Sequence, residues 1–285
     1  YKKLIFLDKF EKEFCQKGIF SPNPLGKPIL IQCVNDIFYL KLFSLVIENE
    51  HKNVNKIYGV ICSPLNLKFK DIILLIPMII KLFVNHLNKK KLKKMYSSIG
   101  VTQFYDQANL SFLLKITNIF KAAKIFFEIK NKKQLISFSY KGIRCGDLIY
   151  DTVVRFSKKI PTLNLKSFSY FLSLHRSINQ ITYFLNLPNI PNFQKVFFSQ
   201  AVYTYHGIPL RFFLKKSSNV FTSGNFTQMF KLHSCDDIYM METTKSYNNI
   251  LKKIDFNNKI IQNSLKVFSS RFEGKDDTGY IKLMK

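Results

Sequence analysis

The chain has 285 residues, a formal net charge of +26, 47% hydrophobic residues and 22% charged residues. That length supports one large or two small domains with a buried core, and the composition excludes a disordered basic tail. The charge raises the question of a polyanionic partner, taken up below after the chain's organisation.

ILIQCV at 29–34 is a short β-branched run and predicts a strand. DIFYLKLFSLVIENE at 36–50 has apolar residues at helical spacing, and IYGVIC at 57–62 predicts a second strand ending in the turn signal SPLN. Residues 70–86 read as an apolar helix and 89–96 as a basic one. The nearest approach to a membrane span, IILLIPMIIKLFV at 72–84, falls short of roughly 18 apolar residues and is broken by Pro77 and Lys81. A turn and a strand follow at 97–106, a helix at 108–128 and a strand, QLISFSY, at 134–140. The loop KGIRCG leads into a helix from about Asp147, and 166–185 is a further helix. Pro188 and Pro191 mark a loop before a strand at 195–200, a helix at 205–216, a strand at 219–223 and a largely helical tail at 240–272.

Short apolar strands alternating with amphipathic helices predict an α/β fold, a Rossmann-like, mainly parallel sheet with helices on both faces. Ligands then bind at the carboxyl ends of the strands, which directs attention to loops 63–69, 141–146 and 199–206. Residues 1–235 form the expected Rossmann-like domain, and 236–285 a helical connection toward a further domain. The chain begins at Tyr1 rather than Met and reads as part of a longer protein. Its amino terminus carries acids and has no small-residue cleavage site, unlike a signal peptide. Five scattered cysteines form no CxxC pair, which argues against a disulfide framework or structural zinc and fits a reducing compartment.

Of 44 basic residues only five are arginine, so AT-rich coding accounts for much of the lysine excess. The lysines are spread along the chain, with dense runs only at 88–95 and 129–133, and neither interleaves with aromatics as an RNA-binding sheet would. Nucleic acid is therefore disfavoured as a partner. Attraction to anionic lipid at a cytoplasmic membrane face is physically reasonable, and a solvated surface accounts for most of the lysines.

SYKGIRCGDLIYDTVVRF at 139–156 is the best-defined unit. Asp147 falls where a helix N-cap belongs, Asp151 in the first turn, and Arg155 four residues on, one stripe at the mouth of the sheet. Two readings stand. In one, Asp147 is a cap and Asp151 with Arg155 an ordinary helix pair. In the other, a carboxylate here binds sugar hydroxyls or serves as a general base. Lys141 and Arg144 could meet an anion beside the free helix N–H groups. A second unit, VFFSQAVYTYHGIPLRFFLKKSSNVFTS at 196–223, contributes Tyr203, His206 and Arg211 as polar members. The acidic pairs Asp236-Asp237 and Asp276-Asp277 do not make a convincing metal site.

The succession GDLIYDTVVR, S-Q-x-x-Y after a strand, HGIPLR, and RFEGKDDTGYIK, with MYSSIGVTQFYD earlier, resembles a family of bacterial capsule or lipopolysaccharide biosynthesis proteins. These are GT-B glycosyltransferase-like, and the resemblance extends over roughly residues 57–285. It implies the amino-terminal, acceptor-side half of a two-domain architecture, with a nucleotide sugar as donor substrate, a glycan as acceptor, and no metal or other cofactor. It implies a catalytic role for Asp151 and Asp147, and substrate binding by Arg144, Arg155, Gln200, Tyr203, His206 and Arg211. The family's pattern usually has histidine where this chain has Gln200. The residues alone leave open a non-enzymatic basic module for RNA or anionic membrane, and a sugar-nucleotide epimerase-like enzyme.

Overall fold

A computed structural model describes residues 23–62, 75–156, 162–216, 219–223 and 229–235, with residues 262, 263, 265, 266 and 269. The chain divides into two units, Tyr1–Tyr239 and Met240–Lys285. In the second, the five described residues are helical.

The first unit is built on a six-stranded sheet. Its strands are β1 (Lys27–Gln32), β2 (Val54–Ile61), β3 (Val101–Asp106), β6 (Lys195–Phe198), β7 (Asn219–Ser223) and β8 (Met229–Leu232). A separate two-residue hairpin pairs β4 (Ser139–Tyr140) with β5 (Ile143–Arg144). The sheet order is β3-β2-β1-β6-β7-β8, parallel throughout except for β8, which runs antiparallel on β7. The helices are α1 (Ile37–Glu50), α2 (Leu75–Ser97), α3 (Phe112–Glu128), α4 (Lys132–Ile136), α5 (Gly146–Phe156), α6 (Phe168–Leu185) and α7 (Tyr203–Lys215).

β1 shows why this sheet has two covered faces. Ile29, Leu30 and Ile31 are all fully buried, as expected of a central parallel strand. Because side chains alternate across a strand, they feed opposite cores. Ile29 and Ile31 join Tyr39, Leu40 and Phe43 of α1 and Tyr96 of α2. Leu30 joins Leu148 of α5, Leu174 and Ile178 of α6, and Phe212 and Phe213 of α7. The α/β, Rossmann-like arrangement expected from the sequence is therefore the observed one.

Three local expectations differ from the structure. The 134–140 segment begins as α4 and contributes only Ser139 and Tyr140 to a strand. Asn131 accepts from Gln134 N at 2.9 Å, and the Gln134 side chain accepts from Lys130 N at 2.8 Å. This reciprocal capping satisfies the first-turn donors and outweighs the β pattern of the side chains. The two expected helices at 70–86 and 89–96 are one helix through Leu75–Ser97, since its basic stretch contains no breaker; residues 70–74 lie outside the described residues. β8 was not anticipated: four residues, MFKL, carry too little alternation to announce an edge strand.

Candidate functional site

The sheet reverses its winding between β1 and β6. From β1 the chain builds outward through β2 to β3, then returns to the other side of β1 as β6 and continues to β7. In doubly wound sheets this switch point opens a crevice outside the carboxyl ends of the two central strands. Here those ends are Gln32 and Phe198, followed by Ser199 and the start of α7.

Gln32, Ser199 and His206 meet in this crevice, and all three are buried. Gln32 Oε1 accepts from Ser199 N at 3.1 Å and from Ser199 Oγ at 2.7 Å. His206 Nδ1 lies 3.0 Å from both Gln32 Oε1 and Ser199 Oγ. An amide oxygen only accepts, so Nδ1 must carry the proton and Nε2 the lone pair. Gln32 Nε2 points the other way, to the carbonyl of Tyr205 at 3.4 Å, which fixes the amide's orientation. Burial pushes the His206 pKa down to about 3, so the ring is neutral near pH 7. This Ser–His pair is unlike a nucleophile with its base: the imidazole donates toward the serine, and so low a pKa is poorly matched to proton abstraction near neutrality.

Among the described residues the rim is largely aromatic, with Asp36 nearby. Gln200 Nε2 donates to the Tyr39 hydroxyl of α1 at 3.1 Å. Burial raises the Tyr39 pKa, the Gln200 bond works against that rise, and nearby Asp36 adds to it. Tyr203 opens α7 with a left-handed φ of +61° and stacks on Tyr205 at 6.1 Å between ring centroids. Tyr205 in turn lies 4.0 Å from the His206 ring. The first turn of α7 lacks a side-chain cap of its own; Thr152 of α5 supplies one, its Oγ1 accepting from Thr204 N at 2.9 Å. The two helices approach closely at Gly207, where a Cβ would lie 2.6 Å from the Leu148 methyls and 2.8 Å from the Ala201 carbonyl oxygen.

A second cluster sits farther along α7. Arg211, only 2% exposed, donates through Nη1 and Nη2 to the two carboxylate oxygens of Asp147, each at 2.6 Å. Nη1 also reaches the Arg144 carbonyl at 2.7 Å, and Arg144 Nε stands 3.9 Å from Asp147 Oδ2. Burial by itself would raise the Asp147 pKa, but the hydrogen bonds and charge of Arg211, with the charge of Arg144, hold it below the usual carboxylate range.

The expected site residues thus fall into separate groups. Gln200, Tyr203 and His206 gather at the switch point, while Arg144, Asp147 and Arg211 form the buried ion-pair cluster. Asp147 is not an N-cap: it is the second residue of α5, and its carboxylate is turned to Arg211. Asp151 is half-buried in the second turn of α5 rather than the first, and Arg155 is exposed at its end. Loop 63–69 and both acidic pairs, Asp236-Asp237 and Asp276-Asp277, lie outside the described residues.

Gln32 and Tyr39 are site residues that the sequence did not single out. The available signal for Gln32 was a polar residue ending an otherwise apolar central strand. Tyr39 had none, because it sits on the buried face of an apolar helix. Among the described residues, no three His, Cys, Asp or Glu side chains gather as metal ligands would, and no helix is long and apolar enough to cross a membrane. No protein family, curated protein or solved structure matches the chain.

Proposed function

We propose that the chain is the acceptor-side part of a glycosyltransferase of cell-surface polysaccharide assembly, working at the cytoplasmic face of the membrane. It would transfer a sugar from a nucleotide-sugar donor to a glycan acceptor. One observation carries the reading. The S-Q-x-x-Y and HGIPLR segments, on which the sequence resemblance rests, lie at the switch point, with the half-buried Gln200 amide and the Tyr203 and Tyr205 rings at its edge and the buried Gln32 and Tyr39 holding them from behind. Such a lining suits sugar hydroxyls and pyranose faces.

In this reading the acceptor hydroxyl attacks the anomeric carbon, the bond to the nucleotide phosphate breaks, and the hydroxyl proton passes to a base. Gln200 has no basic group, and His206 holds its Nδ1 proton in the buried network. Asp151 is therefore the base candidate among the expected residues, with Arg155 beside it on the helix as a substrate contact. Asp147, held ionised between Arg211 and Arg144, orients α5.

The test is saturation-transfer NMR of the chain with oligosaccharide acceptors, and product analysis of the full-length protein with those acceptors and UDP-, GDP- and CMP-sugars. Binding of a glycan that weakens about tenfold in Gln200→Ala and Tyr203→Ala supports the reading. Transfer lost in Asp151→Asn, with the fold intact, supports the base assignment. Absence of any saccharide binding, or binding that falls log-linearly with salt as polyanion binding does, overturns it.

A further inference from the structure

α3 is turned inside out for a surface helix. Its inner stripe, Asn118 and Ala122 with Leu114, Ile125 and Phe126, packs toward α6. The opposite stripe, at 113, 116, 120, 123 and 127, is apolar as well: Leu113, Ile116, Phe120, Ala123 and Phe127. Phe112, Leu113, Phe120 and Phe127 are 70% to 74% exposed, in a helix where a soluble surface would carry polar groups.

One flank of this ridge and the chain just past its carboxyl end are cationic. Between residues 112 and 133 there are six lysines and one acid, Glu128. Lys121 and Lys124 stand beside the ridge, exposed, and Lys124 is 3.9 Å from Glu128. Past the carboxyl end of α3, a shallow groove of about 730 Å³ is lined by four lysines, Lys130, Lys132, Lys133 and Lys166, around the apolar Leu163 and Leu165. Large apolar side chains along the centre, with lysines on one side and past the carboxyl end, form the pattern of a helix lying in a membrane interface.

We propose that this face of α3 docks on an anionic lipid bilayer, with Leu113, Phe120 and Phe127 entering the acyl boundary and Lys130, Lys132 and Lys133 meeting headgroup phosphates. The charge favours this occupant over a second copy of the chain, which would bring +26 against +26. The large apolar side chains at its centre favour a surface with an acyl interior over a purely acidic partner, which would meet the lysines alone. Lipid docking is independent of sugar transfer.

The chain contains no tryptophan, so Phe120→Trp introduces a single fluorophore at the centre of the ridge. Added to phosphatidylcholine vesicles containing phosphatidylglycerol, this variant is expected to show a blue-shifted emission, absent with phosphatidylcholine alone. In co-sedimentation, the double variant Phe120→Ser/Phe127→Ser binds the anionic vesicles at least about tenfold more weakly. Its circular dichroism stays unchanged, because both positions are exposed. Lys130→Gln/Lys132→Gln/Lys133→Gln weakens binding while the shift of the vesicle-bound fraction persists. Three outcomes overturn the proposal: no blue shift, equal binding by the serine double variant, or association with a second copy or with polyglutamate in place of vesicles.

Discussion

Replacing Asp147 with Asn removes the negative charge from a buried pair while leaving Arg211 in place. Arg211 would keep its bond to the Arg144 carbonyl and one bond to the amide oxygen, but its other 2.6 Å bond would be replaced by an Nδ2 donor facing a guanidinium donor. A guanidinium that is 2% exposed has little water to make up the lost bond. Breaking a buried pair from one side costs about 3–5 kcal/mol. With a urea slope of about 2–3 kcal/mol per molar, the unfolding midpoint should fall by roughly 1–2 M. Arg211→Met should cost less, since Asp147 would retain the partly exposed Arg144 nearby. The double variant should lose less than the sum of the two singles, a coupling that a double-mutant cycle reads directly. The pH dependence follows from the lowered folded-state pKa. The pair's contribution is complete above about pH 4, where the unfolded carboxylate titrates. It disappears as pH falls through the folded-state value, so the wild-type and Asp147→Asn curves should converge in acid. A loss under about 1 kcal/mol, typical of an exposed pair, would refute the claim that this contact holds α5 to α7. An unchanged midpoint with abolished sugar transfer would instead return Asp147 to the catalytic group.

Nitrogen-15 NMR of His206 should show the neutral Nδ1-protonated tautomer with no titration between pH 5 and 8. Because an unfolded histidine protonates near pH 6.5 and this one only at about 3, its neutrality should make stability fall as pH drops below about 6.5. Gln32→Leu leaves Ser199 N, Ser199 Oγ and His206 Nδ1 without their shared acceptor, and should destabilise by about 2–4 kcal/mol in urea unfolding. Gly207→Ala should cost about 1–3 kcal/mol through overpacking against Leu148, and Leu148→Val should restore part of it. Gly146→Ala should be worse, since its Cβ would lie 1.6 Å from a backbone oxygen, that of Leu135, which cannot move aside as a side chain does.

What was legible in the sequence is what local chemistry alone controls. Five parallel strands were expected from short apolar runs, and the helical spacing from Asp36 marked α1, whose N-cap Asp36 accepts from Phe38 N at 2.9 Å. Where two local signals competed, as at 134–140, side-chain capping decided the outcome while composition pointed the other way. The site was only half legible. Gln200, Tyr203 and His206 are neighbours in the chain and stay so in space. Arg211 and Asp147 are separated by 64 residues, so their pairing depends on how α7 crosses α5. The same crossing turned the Asp147 carboxylate to Arg211 instead of the first turn of its own helix, and it let Thr152 of α5 cap the first turn of α7.

α6 links the inner face of α3 to the switch point through adjacent residues. Asn179 accepts from Asn118 of α3 at 2.8 Å, and Gln180 donates to the Tyr205 carbonyl beside the crevice at 3.5 Å. Packed helices stand about 8–10 Å apart, so two successive spacings put α7 within about 20 Å of α3. With α3 resting at the level of the headgroups, the crevice would be held at a fixed and modest altitude above the bilayer. If the proposed glycan acceptor were held at the same surface, that spacing would set how far it must extend to reach the crevice.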